Sequence, residues 1–180
     1  LAGDPTPHVK ASAIFALVKL GRDVDRSSLA PMLLEDSSPW NRRHAAYILG
    51  ELGDRSALPL LRKAATQEMP EASREQATNL QIQIAEAMAK LGDENARLSL
   101  RAYLYPSRPE ELETAALAAQ VIGQIRDREA RPQLTSMARY HDKAGNSYPP
   151  EVRLAVAGAL AELGDPTPAQ EAEGLCDSPA

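Results

Sequence analysis

The chain is poor in the residues that staple, pleat or anchor a protein. One Cys, Cys176, stands among 180 residues, so neither an internal disulfide framework nor a cysteine-built zinc site can form. No apolar run is long enough to cross a bilayer. Aromatic residues number seven (one Phe, one Trp, five Tyr), and with β-branched residues also sparse the material for strands is missing. There is no basic excess either. The net charge is −5, which argues against a nucleic-acid binder, since such proteins present a basic stripe. What fills the chain instead is Ala (31) and Leu (23), the leaders of the helix-propensity scale. A charged share of 25% is that of an ordinary globular sequence rather than a disordered one.

The sequence repeats. Leu52-Gly53-Asp54, Leu91-Gly92-Asp93 and Leu163-Gly164-Asp165 recur, with Leu20-Gly21-Arg22-Asp23 and Ile125-Arg126-Asp127 as variants. The Gly (or Arg126) positions are 32, 39, 34 and 38 residues apart, the range of two-helix repeats. The chemistry of the motif is a helix stop followed by a helix start. Leu closes one helix, Gly takes the left-handed position that a Cβ disfavours, and Asp caps the next helix. Arg126 breaks the pattern and predicts a less favourable turn.

This punctuation predicts alternating helices. The second helix of each pair is read at 8–20, 40–52, 73–91, 110–125 and 151–163, the first at 28–35, 56–67, 94–103, 128–140 and 167–174. Prolines fall in first turns or between helices, where a missing N–H does no harm. With the second helices aligned on the turn, the columns eight, four and one residue before it are apolar throughout. They hold Ala13, Ala45, Ile84, Ala118 and Val156, then Leu17, Leu49, Met88, Ile122 and Leu160, then Leu20, Leu52, Leu91, Ile125 and Leu163. Such spacing gathers one helix face. A single pair cannot bury that face, so the pairs must stack.

The segment Asp4-Pro5-Thr6-Pro7-His8-Val9-Lys10, followed by Ala13, Leu17 and Leu20-Gly21, resembles a HEAT-like repeat, as does Pro150-Glu151-Val152-Arg153 through Leu163-Gly164-Asp165. The form is similar to the short variant of phycobilisome lyases. The resemblance implies an all-α α-solenoid of about five stacked antiparallel helix pairs, a HEAT-like superhelix over residues 1–180. The chain opens at the loop before a second helix, and is expected to be a fragment of a longer chain. The resemblance also implies a basic ladder at Lys10, Arg42 and Arg153, bonding loop acids such as Asp4 or Asp36, and a concave surface lined by the second helices.

The face opposite the core carries the functional expectation. Its columns hold His8, Ser12, Phe15 and Lys19, then Trp40, His44, Tyr47 and Glu51, then Asn79, Gln83, Glu86 and Lys90. The only Phe, the only Trp and one Tyr fall in the first two repeats of this face. Exposed aromatic clusters mark partner surfaces. Phe15, Trp40, His44 and Tyr47, with Glu51 and Glu86, are therefore the candidate contacts for a protein or peptide in the groove. The alternative is that a preceding repeat or a neighbouring domain covers them. Two further groups, Arg101, Tyr103, Tyr105 and Arg108 around Pro106, and Tyr140, His141, Asp142 and Tyr148, read more simply as tyrosines closing helix ends with wet hydroxyls.

Catalytic readings find little. His8, His44 and His141 are scattered and belong to no H-x-x-x-H or H-E-x-x-H pattern, and no metal or cofactor is expected. The di-iron HEAT-like hydroxylases carry repeated His-Glu pairs, which this chain lacks. HEAT-like DNA glycosylases carry a basic groove, whereas Glu51, Glu86, Glu113, Glu151 and Glu162 predict an acidic one. There is no phosphate loop or nucleophile elbow. Glu110, Glu111 and Glu113 open a helix, where negative charge suits the dipole. The expectation is a non-enzymatic interaction scaffold or recognition module, monomeric or part of a larger chain, with no nucleic acid and no membrane span. The alternative is a subunit of a bilin lyase-type or chaperone-like complex. The residues show neither a signal peptide nor an initiator Met, so the location stays open, with the cytoplasm slightly favoured.

Overall fold

The computed structural model describes residues 6–166. Asp4, the helix expected at 167–174 and Cys176 lie outside them. Among the described residues there are nine α-helices and no strand. Contacts divide the chain into two compact units, Leu1–Ala96 and Arg97–Ala180.

The first unit holds α1 (Pro7–Lys19), α2 (Leu29–Leu34), α3 (Pro39–Leu52), α4 (Leu58–Ala65) and α5 (Arg74–Lys90). Helix α6 (Glu94–Ala102) crosses the division, and α7 (Leu112–Gln124), α8 (Arg131–Ala138) and α9 (Pro150–Glu162) follow in the second unit. The boundaries agree with the sequence reading to within a turn. Three first turns wind more tightly, as 3-10 turns at Arg55–Ala57, Pro109–Glu111 and Arg128–Ala130.

The repeat motif does what its chemistry dictates. Gly21, Gly53, Gly92 and Gly164 all adopt positive φ, from 71° to 89°. At four of the five turns the second residue of the stop returns its N–H to the last helical turn: Arg22 to Leu17 O, Asp93 to Met88 O, Asp127 to Ile122 O and Asp165 to Leu160 O, at 2.8–3.1 Å. These are Schellman bonds, and they satisfy carbonyls that the helix end would otherwise orphan. Arg126 takes the same geometry at φ 52°, carrying the Cβ strain that glycine avoids. Two second helices begin on side-chain caps. Ser38 accepts from Asn41 N, and Ser73 forms a reciprocal capping box with Gln76.

The core is built from apolar side chains of both helices of each pair, and Ala13, Leu17, Leu52, Met88 and Ile125 of the apolar columns are only half-buried. In the first unit Ile14, Leu29, Leu33, Ile48, Leu61 and Ile84 are buried; in the second Leu100, Ile122, Leu134 and Leu160. Each such side chain contributes about 2 kcal/mol of burial. Helix α3 runs against α5, and α7 against α9, more extensively than any other pair. Both contacts are made close by a missing Cβ: Gly50 faces Ala87, and Gly123 faces Ala159.

Two column assignments are corrected. Leu20, expected in the core, is 77% exposed, whereas Leu91 and Leu163 of the same column are buried. Ala155, which stands nine before Gly164 in the same column as Ser12 and His44 of the outer face, is buried. The basic ladder is also built differently. Arg42 donates to the backbone carbonyl of Asp36 and to Gln67, while the Asp36 carboxylate accepts from Ser38 N and Asn41.

The ionic ladder that does form uses the turn aspartates. Arg62 meets Asp93 at 2.6 Å, Arg101 meets Asp127 at 2.6 Å, and Arg26 approaches Asp54 at 3.9 Å. Each of these aspartates also accepts a backbone N–H of the helix that it starts, from Ala96, Glu129 and Ser56 respectively. Burial opposes the charge on Asp93, but Arg62 and the Ala96 amide outweigh it and hold the carboxyl below its ordinary range.

Candidate functional site

All six candidate contacts lie in the Leu1–Ala96 unit, on α1, α3 and α5. Each side chain is placed by its distance from the repeat turn, and residues of the same column meet across helices. In the outermost column the His8 ring stands edge-on to Trp40, 5.0 Å between centroids. In the next, Ser12 Oγ lies 2.9 Å from His44 Nε2. In the third, Phe15 faces Tyr47 at 6.5 Å. In the last, Lys19 donates to the backbone carbonyl of Glu51 at 2.9 Å. Matching columns touch because the helices are stacked in register, so the surface follows directly from the repeat.

Along α3 the rings form a ladder. Trp40 and His44 stack at 5.5 Å with an 8° interplanar angle, and His44 and Tyr47 at 6.5 Å with 17°. The i, i+4, i+7 spacing puts all three on one helix face. Trp40 is 54% and Tyr47 40% exposed, so this apolar surface is open to solvent, while Phe15 and His44 sit lower. Burial pushes the His44 imidazole below its usual pKa, and the neighbouring His8 adds to the shift.

The acidic candidates are placed otherwise than in an open acidic groove. Lys90 lies 2.5 Å from Glu51 Oε1 and 2.6 Å from Glu86 Oε1. Gln83 donates to the other Glu86 oxygen at 2.7 Å. Glu86 is only 5% exposed, because its own helix folds Lys90 and Gln83 over it. Burial disfavours the Lys90 charge, but the two carboxylates outweigh it and raise its pKa. Lys90 also stands 5.7 Å from the Tyr47 ring centroid, and Lys19 5.4 Å from that of Phe15. The two glutamates thus anchor the lysine that braces Tyr47. Sequence reasoning missed this triad. The signal for it was Lys90 itself, in the same column as Glu51.

Of the tyrosine groups, Arg101 is spent on Asp127 and Glu129, and Arg108 on Glu111. The fold brings Tyr105, Tyr140 and Tyr148 together. Among the described residues no group of three or more His, Cys, Asp or Glu could hold a metal ion, and no helix is long and apolar enough to cross a membrane.

Known proteins speak to the fold of the whole chain. No curated protein matches the sequence. The family model described as HEAT repeats matches three times, over residues 1–81, 27–117 and 107–180. The stop-and-start turns, the all-helical pairs and these matches agree: the chain belongs to the HEAT-repeat family, with the all-α solenoid fold of that family.

Proposed function

We propose that the face of α1 and α3 is a polypeptide-recognition surface, with Trp40 and Tyr47 as its anchors and Phe15 and His44 as their support. HEAT repeats generally mediate protein–protein interaction. The observation that carries the proposal to this face is the exposed ring ladder, in a chain with only seven aromatic residues. Trp and Tyr dominate interface hot spots because they bury large area with few torsions to freeze. The rings are already braced by stacking, by Ser12 and by Lys90, so little order has to be imposed on binding. Glu51 and Glu86 act through Lys90 rather than by touching the partner.

A lyase-type subunit handling a planar bilin would use the same rings. A polypeptide is favoured because the ladder is an open face, whereas small-ligand sites enclose about 70–90% of their ligand.

The test pairs a displayed peptide library with a double variant. Peptides enriched on the native protein should lose at least about tenfold in affinity on the Trp40→Ala/Tyr47→Ala protein, with far-UV circular dichroism unchanged. Equal capture by both proteins would sink the proposal.

A further inference from the structure

The Arg97–Ala180 unit contains a second aromatic site, one that no single stretch of sequence encodes. Tyr105 follows α6, Tyr140 follows α8 and Tyr148 precedes α9. All three line one open trough of about 380 Å3, with Pro106, Pro132 and Met137 among the other walls. The Tyr140 and Tyr148 rings stack at 4.2 Å and 15°. Tyr105 is 66% and Tyr140 42% exposed, so two of the rings present open area. Burial raises the Tyr148 phenol above its usual pKa, and Tyr140 adds to the shift.

Three properties narrow the occupant. None of the nine lining residues carries a formal charge at neutral pH, so a charged segment would lose hydration there with no counter-ion in return. Among the described residues no hydrogen bond to a protein group holds the three phenol hydroxyls, leaving them free to donate. The trough is open rather than enclosed and lined by flat rings, which suits a rod lying across it better than a compact molecule needing enclosure. A polyproline II segment meets all three conditions. It is uncharged, its rings pack on aromatic faces, and its carbonyls have no internal donor. One turn spans about 9 Å, and the stiffness of the rod lowers the ordering cost of binding.

We infer that this trough binds a neutral, proline-rich segment of a partner polypeptide in the polyproline II conformation, with Tyr105, Tyr140 and Tyr148 as the stacking and donating groups. The site is separate from the ring ladder of α3 and does not depend on it.

The experiment is a titration of the full chain with a blocked oligoproline of about nine residues, three polyproline II turns. A blocked Ala/Gln peptide of equal length serves as the comparison. Saturable shifts of the Tyr105, Tyr140 and Tyr148 ring resonances, with Trp40 emission unchanged, are expected for the oligoproline alone. Tyr105→Ala should weaken that binding about tenfold. This ring is largely in solvent, so the variant keeps its fold, and Tyr140→Phe, which keeps the ring and removes one donor, should weaken it less. The inference is overturned by equal shifts with both peptides, by no saturation at millimolar oligoproline, by full affinity in Tyr105→Ala, or by a response at Trp40 instead of the tyrosines.

Discussion

A methyl group added at Gly50, Gly123 or Gly158 is the same chemical change in three different surroundings. At Gly50 the new Cβ would sit 2.8 Å from the Ala87 Cα and 3.0 Å from its Cβ. At Gly123 it would sit 2.9 Å from the Ala159 Cα. Carbon atoms rest at about 3.5–4.0 Å, so α3 and α5, or α7 and α9, would have to separate by roughly 0.7 Å. The obstacle is backbone, which cannot swing aside as a side-chain end can. Overpacking of this kind costs about 1–3 kcal/mol, set against about 1 kcal/mol gained because Ala is the better helix former. The backbone contact puts the cost at the upper end, for a net loss of about 1–2 kcal/mol. At Gly158 nothing lies within 4 Å, so only the propensity term remains and the protein gains about 0.5–1 kcal/mol. Gly123 and Gly158 lie in the same unit, which allows a direct comparison by urea denaturation at constant m-value. Gly123→Ala should shift the midpoint down and Gly158→Ala up. If Gly50→Ala and Gly123→Ala stabilise as Gly158→Ala does, the close packing of second helices on one another is refuted.

Other consequences are as direct. Arg126→Gly removes Cβ strain from a left-handed residue and should stabilise the second unit by about 0.5–1 kcal/mol in urea melts, the larger chain entropy of unfolded Gly offsetting part of the gain. Asp127→Ala strips Arg101, whose side chain is 12% exposed, of its main partner and the following turn of its cap; a loss of about 3 kcal/mol is expected, moderated by the remaining Glu129 contact. His44 has its folded pKa below the ordinary 6.5, so the unfolded chain takes up a proton first as pH falls. Its contribution is therefore complete above 6.5 and declines as pH drops toward the folded value. Denaturation midpoints measured across this window should show a slope in the native protein that is smaller in His44→Gln.

The fold was legible because its cause is local. A Leu-Gly-Asp stop and start needs no distant partner, so five turns and the helices between them could be read from one line of letters. Arg126 was recognised as a costly substitute because the left-handed position depends on one residue alone. What escaped depended on which neighbour is present. Leu20 matches Leu91 in pattern but is exposed where Leu91 is buried. The arginine ladder escaped because Arg62 to Asp93 and Arg101 to Asp127 are 31 and 26 residues apart, with no constant offset to reveal them. The outer face shows the same division. Column positions placed Phe15, Trp40, His44 and Tyr47 together, since stacking in register carries equal columns into contact. They did not show that Lys90 would close over Glu86, a matter of side-chain reach. The tyrosine trough as a whole was not legible, because it joins Tyr105 of the α6–α7 connection to Tyr140 and Tyr148 of the α8–α9 connection.

Trp40 offers the most direct test of the central claim, being the one Trp in the chain and half exposed on the proposed surface. Acrylamide quenching of its emission should be strong in the free protein and should fall several-fold when a library-selected peptide binds, with a blue shift as water leaves the indole. A peptide that binds at full affinity while Trp40 stays equally open to quencher would contradict the account and place recognition elsewhere on the molecule.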